Sequence, residues 1–71
     1  MTPTPEQARR TIIASMHQGR EYTFNDLKNR TGLTEGQITR NLIELRKMGL
    51  IADPQIVQDV RAYRLAERVP A

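Results

Sequence analysis

Apolar residues recur at helical spacing in three separate stretches of the chain. Spacings of three and four residues put side chains on the same side of an α-helix. The pattern therefore predicts three helices, each with one apolar face. Those faces are formed by Ala8, Ile12, Ile13 and Met16 in the first stretch, by Phe24 and Leu27 in the second, and by Ile38, Leu42, Leu45 and Met48 in the third.

Each predicted helix is preceded by a capping signal. In a capping box, a threonine hydroxyl accepts from the amide three residues later, and that residue's side chain accepts from the threonine amide. The three candidate pairs are Thr4 with Gln7, Thr23 with Asp26, and Thr34 with Gln37. Pro5 also suits a first helical position, and Asn25 is an alternative cap for the second helix. We expect helices over about 5–17, 24–30 and 34–48.

Glycines mark the ends of the helices. Gly19 is expected to end the first, and Gly49 to end the third by adopting a left-handed conformation. Gly32 lies in a tight turn between the second and third helices, where it supplies the positive φ that a sharp corner requires. The short segment 20–22 is either one edge strand or a connector.

The pattern changes period after the third helix. Residues 50–52 and 60–65 indicate two short strands, which would form a β-hairpin around an extended loop over 53–59. Pro54 argues against continuous ladder pairing within that loop. A competing interpretation is a fourth helix over 55–67, because Ile56, Val60 and Tyr63 also fit helical spacing.

These elements predict an α+β fold of the winged helix-turn-helix type, with three helices and a C-terminal hairpin as the wing. The whole chain, 1–71, is expected to be one domain with an ordered core over about 5–66. A helix-turn-helix presents the N-terminal part of its second helix to the major groove of DNA. The helix over 34–48 would take that role.

Composition narrows the function without deciding it. The chain has 11 Lys and Arg against 8 Asp and Glu, with a pI near 10.0, which permits a nucleic-acid partner. It has no cysteine and one histidine, His17, so neither a disulfide nor a Cys/His metal site is expected. With no nucleophile set or phosphate loop, we expect no enzyme and no cofactor. The absence of a signal peptide or a membrane-spanning run predicts a cytoplasmic protein.

Candidate DNA contacts lie mainly on the third helix. Gln37, Arg40, Glu44 and Lys47 are assigned to its polar face, where Gln37 could read adenine or serve only as the capping partner. Hydroxyl groups suited to phosphates or bases are those of Thr34 and Thr39. Ile43 falls outside the apolar stripe and is expected to pack beneath the wing or, less simply, to contact another protein.

Two further candidates lie outside the third helix. Arg61 is predicted at the tip of the hairpin, where an arginine can enter a narrow minor groove. Thr23, at the start of the second helix, could place neighbouring free amide groups against a phosphate.

The order of elements resembles the DNA-binding core of the MarR family of bacterial transcriptional regulators. The resemblance covers about residues 6–65. It rests on Thr23, Asp26-Leu27, Gly32-Leu33-Thr34, Ile38-Thr39-Arg40, Leu42, Leu45, Gly49-Leu50-Ile51 and the wing-like Asp59-Val60-Arg61-Ala62. It implies a DNA contact or a wing-steadying role for Arg40. The long flanking helices of that family have no counterpart here, and stand-alone domains of this size resemble small plasmid, phage and fimbrial regulators.

The leading hypothesis is a sequence-specific binder of double-stranded DNA that regulates transcription in a bacterium, plasmid or phage. A homodimer is a further expected partner, because one small module gives limited affinity. The alternative is a winged helix that binds another protein in a replication or phage complex.

Overall fold

The computed structural model describes residues 3–66, which form three helices and a small antiparallel sheet. The helices are α1 (Pro5–Ser15), α2 (Phe24–Thr31) and α3 (Glu35–Lys47), and the strands are β1 (Tyr22–Thr23), β2 (Gln55–Val57) and β3 (Val60–Tyr63). The predicted α+β class is confirmed. The C-terminal limit predicted for the ordered core concerns residues 67–71, which lie outside the described part.

All three predicted capping boxes are present. At α3, the Thr34 amide donates to Gln37 Oε1 at 2.9 Å and the Gln37 amide donates to Thr34 Oγ1 at 3.2 Å. The same reciprocal pairs join Thr4 to Gln7 and Thr23 to Asp26. Each helix therefore begins where a local side chain satisfies amides that lack a partner within the helix.

The ends of the helices agree less closely with the prediction. α1 ends at Ser15, because Met16 already has extended backbone at φ −104° and places its side chain in the core. α3 ends at Lys47 with Met48 as its cap, and the following Gly49 has the expected left-handed conformation, with a φ of +77°. There the Gly49 amide donates to the Arg46 carbonyl and the Leu50 amide to the Leu45 carbonyl, both at 3.0 Å. This pair of bonds is the Schellman arrangement, which satisfies carbonyls at the helix end.

A single apolar core joins the helices to the sheet. Its buried members are Ala8, Ile12, Met16, Tyr22, Leu27, Leu33, Ile38, Leu42, Leu45, Ile51 and Tyr63, with Ile13, Phe24, Leu50 and Leu65 packed at its edge. Asn41 is also buried, and its Nδ2 donates to the Gln37 carbonyl at 2.7 Å. Tyr22 accepts a hydrogen bond from the His17 amide at 2.9 Å, so that its ring is fixed against the end of α1.

Two apolar residues at α3, Ile43 and the cap residue Met48, are more exposed than predicted. Met48 is 58% exposed rather than part of the apolar stripe, because it follows the last helical residue at the margin of the buried face. Ile43 is 46% exposed, so it is not a core residue as expected, and it lies beside the hairpin without being fully covered by it. One residue along a helix turns the side chain by about 100°. Ile43 therefore points away from the core that its neighbour Leu42 enters.

The sheet corrects the predicted hairpin. Its strand order is β1-β3-β2, with Tyr22 opposite Tyr63, Ile56 opposite Arg61 and Val57 opposite Val60. The expected extended loop over 53–59 instead contains β2, since β-branched Ile56 and Val57 suit a strand and Pro54 lies just before it. Residues 50–52 contribute only an isolated bridge between Ile51 and Leu65. The alternative fourth helix is wrong for the described residues of that segment.

A two-residue turn closes the hairpin. Gln58 and Asp59 have φ values of +51° and +63°, which are typical of the mirror-image turns that suit the twist of antiparallel strands. No glycine supplies this conformation here.

None of the helices within residues 3–66 is both long and apolar enough to span a bilayer.

Candidate nucleic-acid interface

A groove of about 480 Å³ separates α3 from the hairpin. Its lining consists of Phe24, Thr39, Leu42, Ile43, Arg46, Arg61 and Tyr63. Aromatic and aliphatic groups supply apolar surface, and two arginines and two hydroxyl groups provide polar atoms. The groove thus brings together two residues predicted to contact DNA, Thr39 and Arg61, although 22 positions separate them in the sequence.

The outer surface of α3 beside this groove is polar and basic. Thr39, Arg40 and Lys47 are all exposed. Residues three and four apart are neighbours on a helix surface, so these side chains surround Ile43. We refer to Thr39, Arg40, Ile43, Arg46, Lys47 and Arg61 together as the α3–hairpin face.

Arg40 meets the geometric requirement for a contact with a large ligand. Its side chain is exposed, and within residues 3–66 it makes neither an ion pair nor a side-chain hydrogen bond. It borders a second cavity at the N-terminal end of α3, beside Pro5 and Ala8 of α1. A guanidinium group in this position retains all its donors for an incoming acceptor.

Gln37 does not project outward as predicted. It is half-buried, lines the cavity against α1 with Asn41, and uses Oε1 in the capping box with Thr34. Its capping role is therefore confirmed, and only Nε2 remains for another partner. Thr34 is occupied in the same way, since its amide and hydroxyl both serve the cap. Glu44, also assigned to the outward face, is half-buried as well.

Arg61 is not at the tip of the hairpin. It is the second residue of β3, opposite Ile56, and its side chain lines the groove beside Thr39 and Arg46. The tip carries Gln58 and the acidic Asp59 instead. Because the strand pairing begins at residue 60, the arginine lies along the hairpin rather than at its end.

Thr23 offers less than the sequence indicated. Its amide donates to Asp26 Oδ2 and its hydroxyl accepts from the Asp26 amide, both at 3.0 Å. The amides of residues 24 and 25 have no acceptor within a helix. However, the Asp26 carboxylate lies at the same helix end, where it would repel a phosphate.

Carboxylates already neutralise part of the α3–hairpin face. Arg46 pairs with Asp53 at 2.9 Å and Lys47 with Glu44 at 3.6 Å. Asp53 is 90% exposed, and exposed pairs contribute only about 0–1 kcal/mol. These cations can therefore exchange one oxygen partner for another at small cost.

Two members of the face were not among the predicted site residues. Arg46 and Ile43 both line the groove, and they follow Thr39 by seven and four residues. The sequence shows from this spacing that the three residues share one side of the helix. It does not show that this side faces the hairpin. The same uncertainty led to the assignment of Gln37 to the outer surface.

The described residues contain no cluster of three or more His, Asp or Glu side chains arranged to hold a metal ion. In comparisons of the chain with protein-family models, with curated proteins and with solved structures, nothing matched. Any assignment of function must therefore rest on the geometry and charge of the chain itself.

Proposed function

We propose that the protein is a small winged helix-turn-helix protein that binds double-stranded DNA and regulates transcription. In this proposal α2, the turn over 32–34 and α3 form the helix-turn-helix, and β2 and β3 form the wing. The short turn with its left-handed Gly32 supports this architecture, since such motifs join their helices by three or four residues, often including glycine. The MarR-like arrangement of residues is part of the same proposal.

The observation that carries the proposal is the exposed guanidinium group of Arg40 on a basic face of α3, which has no ion-pair partner among residues 3–66. Placed in the major groove, Arg40 could donate two hydrogen bonds to guanine, the commonest specific contact of an arginine. Thr39, one residue away, would reach a base or phosphate. Lys47 and Arg46 would meet the phosphates on either side and fix the register of the helix.

The wing would contribute phosphate contacts along its length. Arg61 lies on the side of the hairpin that faces α3, and the acidic turn residue Asp59 disfavours insertion of the tip into the minor groove. We therefore propose that Arg61 contacts DNA phosphates at the edge of the major groove in which α3 lies. One module of this size gives limited affinity, so a homodimer or adjacent copies on DNA would supply the rest.

The test compares two variants that each remove one positive charge. Arg40→Ala should weaken binding to a sequence selected from a random duplex pool by about 1–3 kcal/mol, or roughly 5- to 150-fold. Arg10→Ala is the matched control, because Arg10 is exposed on α1 and pairs with Glu6 away from the proposed face. Equal affinities for both variants would refute the assigned docking.

A second candidate function is binding to another protein, which the exposed apolar residues of the hairpin favour. Ile56 is 72% exposed, and Val57 and Val60 are each nearly half exposed. Titration with random duplex DNA at two salt concentrations separates the candidates. DNA binding should weaken with a log–log slope of about −0.9 per phosphate neutralised. Negligible binding at both concentrations would favour the protein partner.

A further inference from the structure

Ile43 is an exposed apolar side chain that lies in the groove beside the hairpin and has polar and basic neighbours along α3. It is 46% exposed on α3, with Thr39 and Lys47 one turn away in each direction and Arg40 and Arg46 three residues away. An isoleucine stabilises a fold chiefly by leaving water, and this one leaves water only in part. The exposed part of its side chain is therefore available to an apolar group of a ligand.

The surroundings of Ile43 restrict the chemistry of that ligand. Four cations of the α3–hairpin face, Arg40, Arg46, Lys47 and Arg61, lie around it, against the two carboxylates of Glu44 and Asp53. A complementary surface would carry anionic groups at its margin and an apolar group at its centre. The major groove of duplex DNA has this arrangement, with phosphates along both rims and, on its floor, the methyl group of thymine.

We propose that Ile43 reads thymine by contact with its C5-methyl group. An isoleucine can neither donate nor accept a hydrogen bond, so thymine methyl is the base-edge group in the major groove that it can recognise. Thr39, one turn nearer the start of α3, adds its own methyl group to the same strip of surface. The preferred site should thus contain a thymine beside the base that Arg40 contacts.

This inference rests on the proposed DNA-binding function, and it specifies which base the centre of α3 prefers. A protein partner is the competing occupant, because an apolar centre with a polar rim also occurs at protein interfaces. The excess of cations around Ile43 favours a polyanion.

The experiment removes one methyl group from DNA and, separately, the matching side chain from the protein. The full chain is titrated with duplexes selected from a random pool, and with copies in which each thymine in turn is replaced by deoxyuridine. One replacement should weaken binding about fourfold, the value expected for one buried methyl group. In Ile43→Ala, that same replacement should have no further effect.

Met48→Ala provides the control, since Met48 is an exposed apolar residue outside the α3–hairpin face. It should keep the full difference between thymine and deoxyuridine. Circular dichroism establishes that both variants fold, and the wild-type comparison needs no variant at all.

The possible results distinguish thymine recognition by Ile43 from DNA binding in general. Salt-dependent duplex binding with no thymine whose methyl group matters would overturn the inference and leave DNA binding intact. An equal deoxyuridine effect in wild type and Ile43→Ala would overturn the role of Ile43 in the same way. Absence of duplex binding at either salt concentration would overturn both, in favour of a protein partner.

Discussion

Replacement of glycine by alanine should have opposite effects on stability at Gly36, within α3, and at Gly49, just after it. Gly49 has a φ of +77°, in the left-handed region, whereas Gly36 lies in the first turn of α3. Beyond the adjacent residues and the backbone of its own helix, a Cβ atom built on either residue meets no atom within 4 Å. Replacement by alanine therefore introduces no clash at either position, and only the backbone conformation distinguishes the two.

The magnitudes follow from two terms. An alanine restricts the unfolded chain, which stabilises the fold by about 0.4–1 kcal/mol wherever the native conformation is allowed. At Gly49 the left-handed conformation costs about 1–2 kcal/mol for a residue with a Cβ atom. Gly36→Ala should thus raise the free energy of unfolding by about 0.5–1 kcal/mol, and Gly49→Ala should lower it by about 1 kcal/mol.

Urea denaturation followed by far-ultraviolet circular dichroism measures both values. All proteins should be compared at one concentration, because self-association would add a concentration-dependent term. Since the unfolded-state term is shared, the difference between the two variants isolates the cost of the left-handed backbone.

A shift of the same sign in both variants would refute this reasoning. Destabilisation by Gly36→Ala would mean that the start of α3 is not helical as described. Unchanged stability in Gly49→Ala would mean that the Schellman arrangement at the helix end does not require a left-handed residue.

Two further predictions concern the hairpin and the groove. Gln58→Asn should raise the midpoint of thermal unfolding by about 2–8 °C, because asparagine adopts the positive φ of this turn more readily and about 0.5–1 kcal/mol of strain is relieved. An unchanged or lower midpoint would contradict this. Asp53→Asn should change the free energy of unfolding by less than about 1 kcal/mol, since its pair with Arg46 is exposed, yet increase affinity for random duplex DNA. Weaker DNA binding by Asp53→Asn would argue against phosphate contacts by Arg46.

The helices could be predicted because their signals are local. Each capping box lies within four residues, and positive φ at Gly32 and Gly49 follows from the chemistry of glycine in the turns they form. The apolar spacing of α1 and α3 likewise identified most of the core. Such features depend on neighbours in the chain, so one sequence is enough to find them.

The hairpin and the orientation of α3 depend on contacts between distant residues. β2 is specified by its pairing with β3, and its two-residue turn contains no glycine or asparagine that would have marked it. Gln37 and Ile43 are both on the third helix, but only the positions of α1 and the hairpin decide which of them is exposed. The sequence therefore placed the candidate face on the third helix, but it did not show which residues of that helix are exposed.

The strand order also affects how the protein behaves at high concentration. β2 lies at one edge of the sheet, and among residues 3–66 no further strand covers its outer side. Its residues Gln55, Ile56 and Val57 are uncharged and exposed, without the lysine or inward-pointing charge that commonly protects such edges. Concentrated solutions should therefore self-associate first through this strand, and a charged substitution there is the direct way to keep the protein monodisperse.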